Sequence, residues 1–273
     1  MANNTLLVSL NGDKLEGVAA AGQAEGLAAY SKKWDSMHTA RSDREWHITW
    51  GMLAPLAGPY LRAVPLITGS TDCTDVGCGV SDLGFELCRA HGLSTLWLLD
   101  ASSVCIDQLQ ARYAAVADLS ITARVADCRA TPCEPASVRV VLDKGTLDAM
   151  ESDADMHAML AEMARILTPG GLIISVSFPA VKRLAFLDAA LPPLALTHHT
   201  YVIASGDMSA AVVFLSLIFC APAAGIMPPY TPDERTRRML GRAAACGSLY
   251  EDEPDFQPPD PFSFVEETPD ADV

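Results

Sequence analysis

Four acidic positions, each in or just after a short apolar run, have the means for chemistry: Asp75, Asp100, Asp127 and Asp143. The first leads into Asp75-Val76-Gly77-Cys78-Gly79, where two glycines allow a tight turn and a close backbone approach to a ligand. Asp100 stands 21 positions after Gly79. That separation lets a carboxylate on the neighbouring strand meet a ribose diol. A helix cap is the plain alternative for Asp100, but Ser102 and Ser103 already supply caps. The dinucleotide fingerprint G-x-G-x-x-G needs a third glycine, and Asp82 stands there instead. An acid at a helix start is poor company for a pyrophosphate. A cationic sulfonium ligand without phosphates tolerates acids throughout, and this combination points to S-adenosylmethionine.

These residues need a scaffold that brings them together. Hydrophobic periodicity predicts strands at Cys73–Val76, Leu96–Leu99, Ile121–Ala126, Val138–Leu142, Leu172–Val176, Leu194–Ile203 and Ala211–Cys220. Between them come helices with Leu83, Leu87 and Cys88 on one face, then Cys105, Leu109, Tyr113 and Val116, then Met156, Leu160, Met163 and Leu167. Ser81, Ser103 and Ser152 mark the helix starts, and Pro169-Gly170-Gly171 is expected to stop the helix that Ser152 caps. A further helix is expected near Val181–Ala190. Ahead of the first strand, helices are expected from Gly26 and over Trp46–Leu61, the latter kinked or broken at Pro55.

Five strand–helix alternations call for a parallel sheet covered on both faces. The last two strands are separated only by a short turn at Ser205-Gly206-Asp207, so they must be antiparallel to each other. The expected fold is an α/β, doubly wound, Rossmann-like sheet of seven strands, mostly parallel, ending in an antiparallel hairpin. Ligands in such sheets bind outside the carboxyl ends of the strands, where the four acids fall. The expected organisation is a flexible leader (1–25), one domain (26–220) and a Pro-rich acidic tail (221–273).

Composition sets limits on the partners. Of 273 residues, 50% are apolar and 19% charged, and the net charge is −15. Nine acids and no bases lie between Tyr250 and Val273, so removing that −9 from −15 leaves −6 for the first 249 residues. No basic face is available to displace counterions from nucleic acid. Met208–Tyr230 has no charged residue, but Pro222, Gly225, Pro228 and Pro229 break it, so a buried strand is expected rather than a membrane span. The first 25 residues hold a single base, Lys14, and no apolar h-region, so neither a signal nor a transit peptide is expected. The eight cysteines contain no CxxC pair and read as thiols in a reducing, cytoplasmic setting. Cys73/Cys78 and Cys128/Cys133 share a C-x4-C spacing, but Cys73 lies mid-strand, and no metal site is expected.

The chain resembles the class I (seven-β-strand) S-adenosylmethionine-dependent methyltransferases from about Gly26 to Cys220. The resemblance rests on Thr74-Asp75-Val76-Gly77-Cys78-Gly79-Val80-Ser81, Leu98-Leu99-Asp100, Val125-Ala126-Asp127-Cys128 and Leu167-Thr168-Pro169-Gly170-Gly171. Within that family, Asp143-Lys144-Gly145-Thr146-Leu147-Asp148-Ala149, Trp34-Asp35 and Glu45-Trp46 are similar to a methyltransferase-like subgroup. That subgroup includes lysine methyltransferases of translation elongation factor and citrate synthase. The chain departs from it at His38 and His47, where an aromatic residue usually stands.

The resemblance implies S-adenosyl-L-methionine as cofactor. The expected contacts are Trp34, His38, Asp75, Gly77, Cys78, Gly79, Ser81, Asp100, Ala101, Asp127, Cys128 and Lys144. Asp100 would take the ribose, Asp127 and the Cys128 backbone the adenine, and Lys144 backbone contacts and a local ion pair. Asp143 is the expected catalytic group, and it would orient the incoming amine rather than act as a strong base. An acceptor lysine starts from a pKa of about 10.4, which a desolvated channel lowers and a carboxylate raises. The expected function is protein-lysine N-methylation. A small-molecule acceptor and a non-catalytic binding module remain the alternatives.

Overall fold

The computed structural model describes residues 31–36, 38–39, 48–178, 181–204, 212–220, 227–234, 236–238 and 240–241. The expected leader and the acidic stretch from Tyr250 lie outside them, as do Glu45, Trp46 and His47. Seven strands form one sheet: β1 Thr71–Val76, β2 Thr95–Asp100, β3 Ser120–Val125, β4 Val138–Lys144, β5 Leu167–Ser177, β6 Leu196–Ala204 and β7 Val212–Cys220. The helices are α1 Trp50–Ala63, α2 Leu83–His91, α3 Ser103–Tyr113, α4 Asp153–Ile166 and α5 Val181–Ala190, preceded by helical residues at 31–36 and 38–39.

The strand order is β3-β2-β1-β4-β5-β7-β6. Pairings from β3 through β5 are parallel, and β7 runs antiparallel between β5 and β6. Strand order reverses between β1 and β4, and that switch point sets the ends of those strands beside an open crevice.

Alternation along the strands explains why both faces are covered. Leu172, Ile174 and Val176 of β5 join a core with Leu53, Leu83, Leu87 and Leu109 of α1 to α3. Ile173 between them joins a second core with Met159, Leu160, Met163 and Leu187 of α4 and α5. Successive side chains of a strand point to opposite faces, so one apolar run serves two cores. The uncharged stretch taken from the sequence as a buried strand is β7, whose Phe214, Leu215, Leu217 and Ile218 are fully buried. No helix among the described residues is long and apolar enough to cross a membrane.

Two local expectations are corrected. Pro55 does not break its helix: α1 continues through Pro55 and Pro59. Burial of Leu53, Ala57, Tyr60 and Leu61 along one side offsets an intrinsic penalty of about 3 kcal/mol per interior proline. The helix after Ser152 ends at Ile166, and Leu167 turns extended to pair with Val138. Pro169-Gly170-Gly171 therefore lies inside β5, where the register with β4 shifts. Packing also continues past Cys220: the Tyr230 hydroxyl donates to the Thr200 carbonyl, and the Val202 N–H donates to Thr236 Oγ1 at 3.3 Å. Those contacts occupy polar groups along β6, the outer strand of the sheet.

Candidate functional site

The crevice is built around the turn after β1. Gly77 and Gly79 both adopt left-handed backbone, with φ of 65° and 53°. At Gly77 a Cβ would fall 2.1 Å from Thr146 Oγ1, and that hydroxyl donates to the Gly77 carbonyl at 3.0 Å. Gly77 is thus required by the chain's own Thr146, which brings the β4 end against the loop. The Gly77 and Cys78 N–H groups both donate to the Leu99 carbonyl, fastening the loop to β2.

Asp100 closes the next side. Its Oδ2 accepts from the Gly79 N–H at 2.9 Å and its Oδ1 from the Ser102 N–H at 2.8 Å. Burial pushes its carboxyl above the usual range, and those two backbone donors pull against that shift. Each oxygen keeps a second lone pair for a ligand. Ala101 follows it into the turn before α3, where the Ser102 hydroxyl accepts from the Cys105 N–H as the helix cap.

Asp75 is buried on β1, its carboxylate against the first turn of α2, where a Cβ on Gly84 would lie 3.0 Å away. The N-cap position of α2 is Asp82, one residue beyond the expected Ser81, whose hydroxyl accepts from the Leu83 N–H. Asp82 pairs with Arg112 at 2.9 Å and accepts from the Tyr113 hydroxyl, so its charge is largely balanced. The argument against a phosphate ligand therefore rests on Asp100 rather than on Asp82. Lys144 reaches across the crevice and donates to Ser81 Oγ at 2.9 Å.

Asp127 lies at the end of β3, where Arg129 grips both of its oxygens at 2.8 to 3.2 Å. Arg129 also pairs with Asp155 on α4. The Cys128 thiol beside it is pushed up to about 12, first by burial and then by the charges of Asp127, Asp143 and Asp100. The carboxylates at the ends of β2, β3 and β4 thus all lie close enough to the Cys128 thiol to act on it.

Asp143 is fully buried. Its Oδ1 accepts from the Thr146 and Leu147 N–H groups, both at 3.1 Å, and its Oδ2 accepts from Ser175 Oγ at 2.7 Å. Burial pushes its carboxyl up to about 6. With two donors from the turn and one from β5, Asp143 braces the 143–147 segment against the neighbouring strand. The carboxylate that lines a small pocket at this rim is Asp148, together with Ile48, Lys144, Gly145, Phe178 and Val213. Asp148 accepts from the Phe178 N–H at 2.8 Å and from the Arg183 guanidinium. Burial raises its pKa, opposed chiefly by Arg183.

The helical residues before α1 lie over this site. Asp35 Oδ1 accepts from the Ser102 hydroxyl at 2.6 Å and from the Val104 N–H at 3.3 Å, which pins the segment to the start of α3. The Ser102 bond is the main reason its carboxyl lies below the usual range. A Cβ on Gly79 would sit 3.6 Å from His38 Cε1, so the imidazole stands directly over the glycine loop. Trp34 packs near it, with ring centroids 6.3 Å apart.

Residues 74–171, which hold the loop, Asp100, Asp127, Asp143 and Asp148, match the family described as methyltransferase domain. That match places a methyltransferase domain in the chain, running from β1 into β5 of the seven-stranded sheet. The chain is 32% identical over 162 residues to a cattle (Bos taurus) protein named EEF1A lysine methyltransferase 4, covering 54% of this chain and 60% of that protein. It is 31% identical over 152 residues to eEF1A lysine and N-terminal methyltransferase of Xenopus laevis, covering 53% of this chain and 21% of that protein. The chain thus spans between about a fifth and three fifths of the length of these relatives. Geranyl diphosphate C-methyltransferase from Streptomyces coelicolor A3(2) superposes with a TM-score of 0.50 at 12% identity, over 71% of this chain and 97% of that one. That likeness concerns the fold.

Three residues that position the methyltransferase site carried no role in the sequence reading. Asp35 and Asp148 stood inside the quoted Trp34-Asp35 and Asp143-to-Ala149 segments, so their types were visible but not their partners. Arg183 on α5, 35 positions beyond Asp148, had no local signal, because only the packing of α5 under β5 brings it there.

Proposed function

We propose that this chain is an S-adenosylmethionine-dependent methyltransferase whose acceptor is a lysine side chain of a protein. The observation that carries this reading is that Asp100, Asp127 and Asp143 all lie near the Cys128 thiol at the switch point, next to the pocket lined by Asp148. The site fits the cofactor: Asp100 has lone pairs for a ribose diol, and the left-handed Gly79 leaves its backbone uncovered except by His38. The Cys128 backbone and Asp127 would hold the adenine edge, and Trp34 and His38 would cover the bound nucleoside. Asp75, Gly77, Cys78, Ser81, Ala101 and Lys144 shape the surrounding wall.

When bound, S-adenosylmethionine supplies a methyl group activated by its sulfonium. The protein's part is alignment and removal of water. The apolar walls Ile48, Phe178 and Val213 suit a lysine stem, and Asp148 suits its nitrogen. Burial raises the Asp148 carboxyl. A carboxylate paired with Arg183 still competes poorly for the proton of a lysine, whose pKa starts from about 10.4, so it orients the amine instead of taking its proton. Asp143 acts through the turn it braces, so it is a positioning residue. The lysine acceptor is supported by the names of the relatives, and the cytoplasmic setting by the free thiols of all seven described cysteines.

The test is a tritiated-methyl assay on cell lysate with the recombinant chain. A labelled protein band that disappears with Asp100→Asn supports the reading. Label found only in small molecules replaces the acceptor class. No binding of S-adenosylhomocysteine by calorimetry leaves a binding module without catalysis.

A further inference from the structure

His38, Asp100 and Cys105 come from three separate elements, the helical segment before α1, the end of β2 and the first turn of α3. One ligand atom of each lies within 4.8 Å of the other two. Among the described residues no other group of three or more His, Cys, Asp and Glu side chains gathers this closely. We propose that these three residues form a site for a divalent cation of the zinc class, which shares Asp100 with the cofactor crevice.

Imidazole nitrogen, carboxylate oxygen and thiolate sulfur are the donors zinc takes in proteins, with bonds of about 2.0 to 2.3 Å. Tetrahedral angles then set ligand atoms roughly 3.3 to 3.8 Å apart, so the site need close by at most about 1 to 1.5 Å on binding. His38 is the half-exposed corner, while Asp100 and Cys105 are buried, so His38 is the ligand with room to move. Both Asp100 oxygens hold one backbone N–H and keep a lone pair. The Cys105 thiol donates to the Gly79 carbonyl at 2.6 Å. Metal binding breaks that S–H bond, forms a metal–sulfur bond and releases one proton to solvent, with no change of oxidation state. The Cys78 thiol, hydrogen-bonded to Cys105, stands next in line as a fourth donor.

A ribose diol takes the free lone pair of each Asp100 oxygen and leaves none for a cation, so the two occupants exclude one another. This competition rests on the cofactor reading above, whereas metal binding does not. The consequence is an enzyme silenced by zinc-class ions when the cofactor is scarce.

The test uses the full chain stripped of metal and titrated with Co2+, followed by Zn2+. A thiolate-to-cobalt charge-transfer band saturating at one equivalent, bleached by Zn2+ and lost in Cys105→Ser, is expected. His38→Ala, at the half-exposed corner, keeps the fold and lowers Co2+ affinity by at least the roughly 10-fold that loss of even an outer-shell partner costs. Absence of the band in the parent, or a band undiminished in both variants, overturns the site. S-adenosylhomocysteine should erase the band, and a band that persists at saturating nucleoside overturns the sharing of Asp100. Calorimetry of S-adenosylhomocysteine on metal-free protein tests the cofactor reading by itself, so the two failures are told apart.

Discussion

Replacing Asp100 with asparagine changes one oxygen into an NH2 group and removes the charge, with almost no change in shape. In the parent, both oxygens accept backbone N–H groups, from Gly79 at 2.9 Å and Ser102 at 2.8 Å. Asparagine serves one of them and leaves the other facing a donor, a cost of about 1–3 kcal/mol for an unsatisfied buried group. For a domain of this size that lowers Tm by roughly 2–4 °C per kcal/mol. The effect on the nucleoside is separable. A hydrogen bond to a charged group is worth about 1.5–3 kcal/mol, so losing one from the ribose diol weakens binding by roughly 10- to 150-fold. Calorimetry with S-adenosylhomocysteine, at a temperature where thermal scans show the variant folded, reads the second effect alone. If folded Asp100→Asn binds within about twofold of the parent, the ribose assignment is wrong.

Three further outcomes are expected. Gly77→Ala places a methyl 2.1 Å from Thr146 Oγ1 at a φ of 65° and should cost roughly 2–4 kcal/mol; thermal unfolding measures it, and Thr146→Gly added to it should recover part of the loss. Asp143→Asn tests a pH dependence. The buried carboxyl is raised to about 6 from 3.8, so the stability it contributes is full below pH 3.8 and lost as pH rises through about 6. The variant, which keeps acceptors for Thr146 and Leu147, should therefore gain on the parent by up to about 3 kcal/mol above pH 6 and show no gain near pH 4; a pH-independent difference in denaturation midpoints refutes this. Asp148→Asn should leave S-adenosylhomocysteine affinity within about twofold and lower turnover by at least about tenfold, and unchanged turnover removes Asp148 from the acceptor site.

The sequence by itself determined the architecture and the addresses of the acids. Strand–helix alternation gave a parallel sheet, the short turn before β7 gave the antiparallel end, and both were legible because backbone period and loop length are local properties. The glycine loop and the spacing to Asp100 were legible for the same reason. Tertiary structure decided what each carboxylate does. Asp143 and Asp148 lie five residues apart in one motif, yet Ser175 and the turn amides enclose the first while Arg183 and Phe178 hold the second at the pocket wall. Asp127 is taken up by Arg129, and Asp35 finds its use only at the start of α3. Leu167 leaves its helix because β4 offers it a partner. In each case the deciding neighbour comes from another element or a folded turn. An ionisable group's role follows from burial and partners, which a chain acquires only on folding.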